Sequence, residues 1–257
     1  MQPLPSERKA LVFAAGGLRF AVRLSQLREI VEVPAGEGEI RARGETVAAA
    51  IVSTVLGLPA GPSPFALLTE GTPRTALRVE AVHGIVDLAD AEVFQLPART
   101  PLPVPPPFSG AIVARGEVAL ELAVASLGFA PLEPAVEDEG PPPDLGPAAE
   151  RELLFARGGR VFGVPLSIVV QVLEAPRVAP VPLTPPSFRG VVYQGRALHP
   201  VLDVAVRYAG VPAGEGRNVL LLDAGGAGVG VVADRVLGVG EGGDDVLRPP
   251  WDAVFSA

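Results

Sequence analysis

The stretches LVFAAGGLRFAVRLSQLREIVEVP (Leu11–Pro34) and LLFARGGRVFGVPLSIVVQVLEAP (Leu153–Pro176) lie over one another without a gap, and roughly half of their positions are identical. Shared apolar periodicity alone does not produce that match, so the chain is two copies of one unit. In each copy a strand is expected to run into a Gly-Gly turn, at Gly16-Gly17 or Gly158-Gly159, and out into a second strand holding Phe20 or Phe162. A short apolar helix is expected next, over Leu24 to Val31 and over Leu166 to Leu173, with Ser25 or Ser167 near its start as the cap.

The repeat returns downstream, where ALRVEAVHGIVD (Ala76–Asp87) parallels GVVADRVLGVGE (Gly230–Glu241) and sets Val82 and Gly84 over Val236 and Gly238. Between the copies, residues 131–150 are acidic, rich in Pro and without apolar periodicity, the composition of an extended, solvated linker. The expected organisation is therefore a first domain over 8–130, the linker over 131–150 and a second domain over 151–257. The first copy continues through Phe108 to Phe129, which reads as a closing hairpin and a terminal helix. The second runs only to Trp251 and the six residues after it, so it lacks the matching hairpin. Its sheet either keeps an open edge, which invites pairing, or has that edge filled by another segment or subunit.

Thr184 to Val204, TPPSFRGVVYQGRALHPVLDV, reads as a turn, a strand, a tight turn at Gly195 and a second strand. Such a hairpin offers an edge to a partner rather than a reacting group. Val47 to Thr69 carries no charge and is long enough to span a bilayer, but Gly57, Pro59, Gly61, Pro62 and Pro64 interrupt it, so a strand, a short helix and a loop are expected. The N-terminus has no apolar run behind a basic start, so no signal peptide is expected.

Composition narrows the function. A net charge of -8 repels phosphate backbones and anionic head groups, which argues against nucleic acid as a partner. The absence of Cys removes thiolate nucleophiles, disulfides and Cys-based metal sites together, and is compatible with a reducing cytoplasm. His83 and His199 sit in apolar strand patterns with no second ligand at metal spacing. Asp203, Asp223 and Asp234 end apolar runs, where a carboxylate accepts hydrogen bonds from turn amides. The glycines from Gly225 to Gly230 are followed by a β-branched run instead of the helix a dinucleotide site needs, so they read as a hairpin turn. No serine lies in a nucleophile elbow. No enzyme, cofactor or metal is expected.

Phe188-Arg189-Gly190-Val191, Gln194-Gly195-Arg196, Pro200-Val201-Leu202-Asp203 and Asp234-Arg235-Val236, in that order and within a repeated unit, resemble the CheW-like family, the coupling proteins of bacterial chemosensory arrays. The resemblance implies a mainly β fold of tandem CheW-like domains, each a pair of small SH3-like five-stranded β-barrels with short helices. It implies a non-catalytic cytoplasmic adaptor, recruited to membrane-associated arrays without inserting into the membrane. The implied partners are the regulatory domain of a CheA-type histidine kinase, the cytoplasmic tips of chemoreceptors and other CheW-like domains.

The family's interaction positions carry over unevenly. A helix Glu is matched by Glu29, and by Gln171 in the second copy. An Arg-Gly step is matched by Arg189-Gly190, where the first copy has Glu37-Gly38. A later Arg-Gly step is matched by Arg43-Gly44, where the second copy has Gln194-Gly195. Partner contact is therefore expected chiefly from Phe188, Arg189, Gly190, Val191, Gln194, Gly195 and Gln171, with Glu29, Arg43 and Gly44 in the diverged first copy. A competitor or cap of such arrays is the rival within the class, and a β-barrel small-ligand-binding protein or enzyme the rival outside it.

Overall fold

The computed structural model describes residues 8–34, 39–42, 44–71, 74–98, 100–136, 151–212, 214–223, 225, 228–240, 243 and 245–256. They fall into two units, 1–96 with 102–135, and 97–101 with 136–257. Arg43, Glu37-Gly38 and linker residues 137–150 lie outside the described residues.

In the first unit, β1 (Lys9–Ala15) and β2 (Leu18–Arg23) form the expected Gly-Gly hairpin, with Phe13 opposite Phe20. A three-residue 3-10 turn over 24–26 leads into β3 (Leu27–Glu32). The helix expected from Leu24 to Val31 is thus a single turn and a strand, and Ser25 caps nothing. Its alternation of half-buried and exposed positions is a strand's period of two, which outweighs a short apolar run that also fits a helix.

The chain continues through β4 (Glu39–Ala42), β5 (Glu45–Ile51), helix α1 (Val52–Val55), β6 (Phe65–Thr69), β7 (Thr75–Val79), β8 (Ala81–Asp87) and β9 (Glu92–Phe94). The hairpin β10 (Phe108–Ala114) and β11 (Glu117–Leu122) closes the unit, and a 3-10 turn over 124–126 stands where a terminal helix was expected. The uncharged stretch after Val47 is indeed strand, short helix and loop, with β6 added. No helix among the described residues is long and apolar enough to cross a membrane. Two sheets result, in the orders β8-β1-β2-β11-β10-β9 and β3-β6-β7-β5-β4. Phe20 stacks on Phe108 at 6.2 Å and lies 5.9 Å from Phe13, all three buried. Each such ring stabilises the unit by roughly 1.5–3 kcal/mol through burial.

The second unit repeats the plan with β12 (Glu152–Arg157), β13 (Arg160–Pro165), a 3-10 turn over 166–168, and β14 (Val169–Glu174). The helix expected over Leu166 to Leu173 is again a turn and a strand. Next come β15 (Val178–Ala179), β16 (Phe188–Gln194), β17 (Ala197–Leu202), helix α2 (Val204–Ala209), β18 (Asn218–Asp223), β19 (Gly228–Ala233), β20 (Arg235–Gly240) and helix α3 (Trp251–Ser256). The repeat extends to the irregularities. Val12 faces Gly84 and Phe13 faces Val82 across a bulge, and Leu154 with Gly238 and Phe155 with Val236 reproduce it.

The sheets of this unit run β13-β12-β20 and β14-β18-β19-β17-β16-β15. Where five strands were expected throughout, the described sheets hold six and five strands in the first unit and three and six in the second. Among the described residues no hairpin stands beside β13, and another segment of the same chain takes the place that β10–β11 holds in the first unit. In the first unit β11 runs parallel to β2 with Leu120 opposite Phe20; in the second a single parallel bridge sets Leu247 opposite Phe162, the equivalent residue. The Leu247 N–H donates to the Val161 carbonyl, the Gly163 N–H donates to the Leu247 carbonyl, and Trp251 Nε1 donates to the Gly163 carbonyl at 3.1 Å. Val254 and Phe255 of α3 join the core of Phe155, Phe162 and Leu220. The edge of β13 is therefore covered rather than left as a pairing template.

Candidate functional site

The hairpin at Thr184–Val204 forms as the sequence reads: β16 pairs antiparallel with β17, and Gly195 turns between them at φ 59°. The bulge between Phe188 and Gly190 decides which residues face outward. Phe188 and Val191 are 5% and 0% exposed and belong to the interior. Gly190 has a φ of 128°, and a Cβ there would stand 2.1 Å from the Ala179 carbonyl oxygen, so this position must be glycine for β15 to pair with β16. Arg189 is half-buried and has no hydrogen bond or ion pair among the described residues.

At the far end of β16, Gln194 Nε2 donates to Gln171 Oε1 on β14 at 3.5 Å. β14 and β16 are not ladder neighbours, so this contact bridges the seam where the curled sheet approaches itself. Gly195 is exposed beside it. Gln171, Gln194 and Gly195 thus come together, whereas Arg189 stands five residues along the strand from Gln194, roughly 17 Å at strand rise. In the first unit Glu29 is half-buried on β3 and Gly44 is exposed at φ 83° in the β4–β5 turn. Arg43, beside it, is not among the described residues.

Sequence reasoning missed two residues of this surface. Val170 and Val172 flank Gln171 on β14 and are 65% and 37% exposed on an edge strand, where large apolar side chains mark a contact surface. Ile30, 40% exposed, holds the matching place on β3. The signal was the V-V-Q-V pattern itself, hidden by the helical reading of the same run.

The titratable groups do structural work. Arg157, 3% exposed, donates to Asp203 from Nε and Nη2, to Asp234 Oδ1 at 2.6 Å and to the carbonyls of Gly214 and Glu215. Burial lowers its pKa, but the hydrogen bonds to Asp203 and then Asp234 outweigh that, and the net shift is upward. Asp203, fully buried, was expected to accept turn amides and instead neutralises this guanidinium. Asp234 does accept the Gly158 N–H, and Asp223 accepts that of Gly225. In the first unit Glu80 takes the place of Asp234 and binds the Gly16 and Gly17 amides directly. His199 lies with Nδ1 3.2 Å from the Gly228 carbonyl oxygen and Nε2 3.2 Å from that of Gln194. No group of three or more His, Cys, Asp or Glu among the described residues could hold a metal ion.

Two repeated units of curled, mainly antiparallel sheet, with the charged clusters around Arg157 and Glu80 spent on internal bonds and apolar side chains exposed on edge strands, define a tandem β-sheet protein. The family model for the CheW-like domain matches residues 9–128 and 152–256, and the chain belongs to that family, one of chemosensory scaffolds and adaptors. A solved structure similar to it is that of the scaffolding protein TtCheW from Thermoanaerobacter tengcongensis, with 19% identity, a TM-score of 0.33, and coverage of 38% of this chain and 66% of that one. No curated protein matches the chain.

Proposed function

We propose that this chain is a non-catalytic chemosensory adaptor that couples chemoreceptor tips to the regulatory domain of a CheA-type histidine kinase, working in the cytoplasm at membrane-associated arrays. The observation that carries the reading is the outer surface of the second sheet in the second unit. It combines an edge strand with two exposed valines around Gln171, the Gln194-Gly195 turn beside it and Arg189, which has no partner among the described residues. A strand edge with apolar side chains and a few polar groups suits another β-barrel, as in a kinase regulatory domain or a second CheW-like domain. Phe188, Gly190 and Val191 support this surface from inside. Glu29 and Gly44 hold the corresponding, diverged places in the first unit, and Arg43 joins them by its place in the sequence alone.

Two modules on one linker raise the local concentration for a second contact, so modest affinities suffice to bridge two partners. The competing reading, a cap that ends array growth, draws support from the second unit, whose β13 edge is already covered by residues 247–251. Co-sedimentation separates the two. An adaptor increases the kinase carried down with receptor-bearing membranes as the full chain is added, and a cap decreases it.

A further inference from the structure

The first unit holds a groove that the adaptor reading does not use. It encloses about 490 Å³ between β8 and the β10–β11 hairpin. Val12, Ile112 and Ala119 form its floor and belong to a buried cluster with Ala10 and Ala21, whose short side chains leave the space open. β8 and β9 are the two ends of their sheet. β8 pairs only with β1, and β9 covers β10 only from Ala111 to Val113. The outer backbone edge of β8 therefore faces the groove without a ladder partner among the described residues, and Gly84 within it has nothing within 4 Å of where a Cβ would point.

Charge is divided along the groove. Arg115 and His83 stand at one end with Arg19, whose guanidinium lies 3.7 Å from Glu117; Asp87 and Asp90 stand at the other. The second unit provides an internal control. Leu237 and Val239 replace His83 and Ile85 on the equivalent strand, and among the described residues no hairpin stands opposite.

We propose that this groove binds an extended segment of a partner protein, which adds to β8 as an antiparallel strand. An unpaired strand edge supplies main-chain hydrogen bonds, and the floor and the charged ends supply selectivity. From His83 to Asp87 the edge spans about 13 Å, the length of five residues. Antiparallel addition places the segment's first residue against Asp87 and Asp90 and its last against His83 and Arg115. The segment therefore reads, from N to C, a basic residue, three apolar residues and an acidic residue.

The probe is the peptide acetyl-KVLVE-amide with a fluorescent label, titrated against the full chain and followed by anisotropy. Its reverse, acetyl-EVLVK-amide, has the same composition and the opposite charge order. Saturable binding of KVLVE, about tenfold tighter than EVLVK, is expected from two favourable against two unfavourable surface pairs. The double variant Arg115→Asp, Asp90→Lys changes two exposed positions and should exchange the preference. Binding of neither peptide, equal binding of both, or a preference unmoved by the double variant would overturn the proposal. Displacement of the label by free leucine would assign the groove to small zwitterions, and self-association abolished by the double variant would assign it to a second copy. Either result would also overturn the proposal.

Discussion

Arg248 holds both oxygens of the buried Glu152 carboxylate, at 2.9 and 3.0 Å, across 96 positions of sequence. The pair fastens the C-terminal segment over β13. Glu152 is 1% exposed, and Gly163 on the neighbouring strand β13 leaves room for that carboxylate, since a Cβ there would come within 2.9 Å of Glu152 Oε2. In the first copy the equivalent positions are Ala10 and Ala21, and the hairpin β10–β11 covers the edge instead. Arg248→Ala leaves a buried charge uncompensated and is expected to destabilise the second unit by about 3–5 kcal/mol. The double variant Arg248→Ala, Glu152→Ala removes both charges and should recover part of the loss. Trp251 is the only tryptophan, so a shift of its emission to longer wavelength at lower denaturant reports release of the segment.

Arg157 carries the same logic deeper in the fold. Its guanidinium joins β12 to the start of α2 through Asp203 and to the loop carbonyls of Gly214 and Glu215. Arg157→Met strands fully buried Asp203 and should lower the unfolding free energy of the second unit by about 3–5 kcal/mol, read from denaturant titration. Arg157→Lys should rescue little, because an ammonium cannot reproduce the planar fork that serves two carboxylates and two carbonyls.

Tyr208 gives a prediction of opposite sign. Its hydroxyl is buried without a hydrogen-bond partner in the described structure, so Tyr208→Phe is expected to be neutral or stabilising in thermal melts at pH 7. Burial raises the Tyr208 pKa above its ordinary 10.0, and the nearby Arg207 lowers it by less. A folded pKa above the unfolded one gives stability that is complete below pH 10 and is lost as pH rises through the folded value. Wild type should therefore lose stability above about pH 10 more steeply than Tyr208→Phe.

Much of the fold was legible because the repeat gave two independent readings of each element. The Gly-Gly hairpins, the strand, short helix and loop after Val47 and the Thr184–Val204 hairpin all form where residue types demanded turns, although β6 at the end of that loop was not expected. The two stretches after Leu24 and Leu166 misled because a short stretch with apolar residues at mixed spacings, as at Leu24, Leu27, Ile30 and Val31, satisfies a helix and a strand alike, and only their pairing with β6 and β18 settles the question. The closure of the second unit was not legible. It rests on one bridge between Phe162 and Leu247 and an ion pair between residues far apart in the chain, and local pattern carries no trace of either. The candidate surface was half legible: the sequence pointed to β16, but the bulge at Gly190 sends Phe188 and Val191 inward and leaves exposure to Val170 and Val172 on a strand read as helix.

Gly190 and Arg189 separate support from contact. Gly190→Ala is expected to destabilise the second unit by about 1–3 kcal/mol or more, since it meets both a disfavoured φ and the Ala179 carbonyl. Any loss of partner binding in that variant should follow its melting curve. Arg189→Glu should leave the melting temperature close to that of wild type, because half-buried Arg189 has no hydrogen bond or ion pair among the described residues to lose.

The adaptor reading is tested most directly by calorimetric titration of the full chain against the regulatory domain of a CheA-type kinase from the same cell, with wild type and Arg189→Glu side by side. Saturable binding by wild type, weakened about tenfold or more by Arg189→Glu at unchanged folding, is the expected result for a charge reversal at a contact. Absence of binding by the folded wild-type chain would contradict kinase coupling, and equal binding by both would remove Arg189 from the contact.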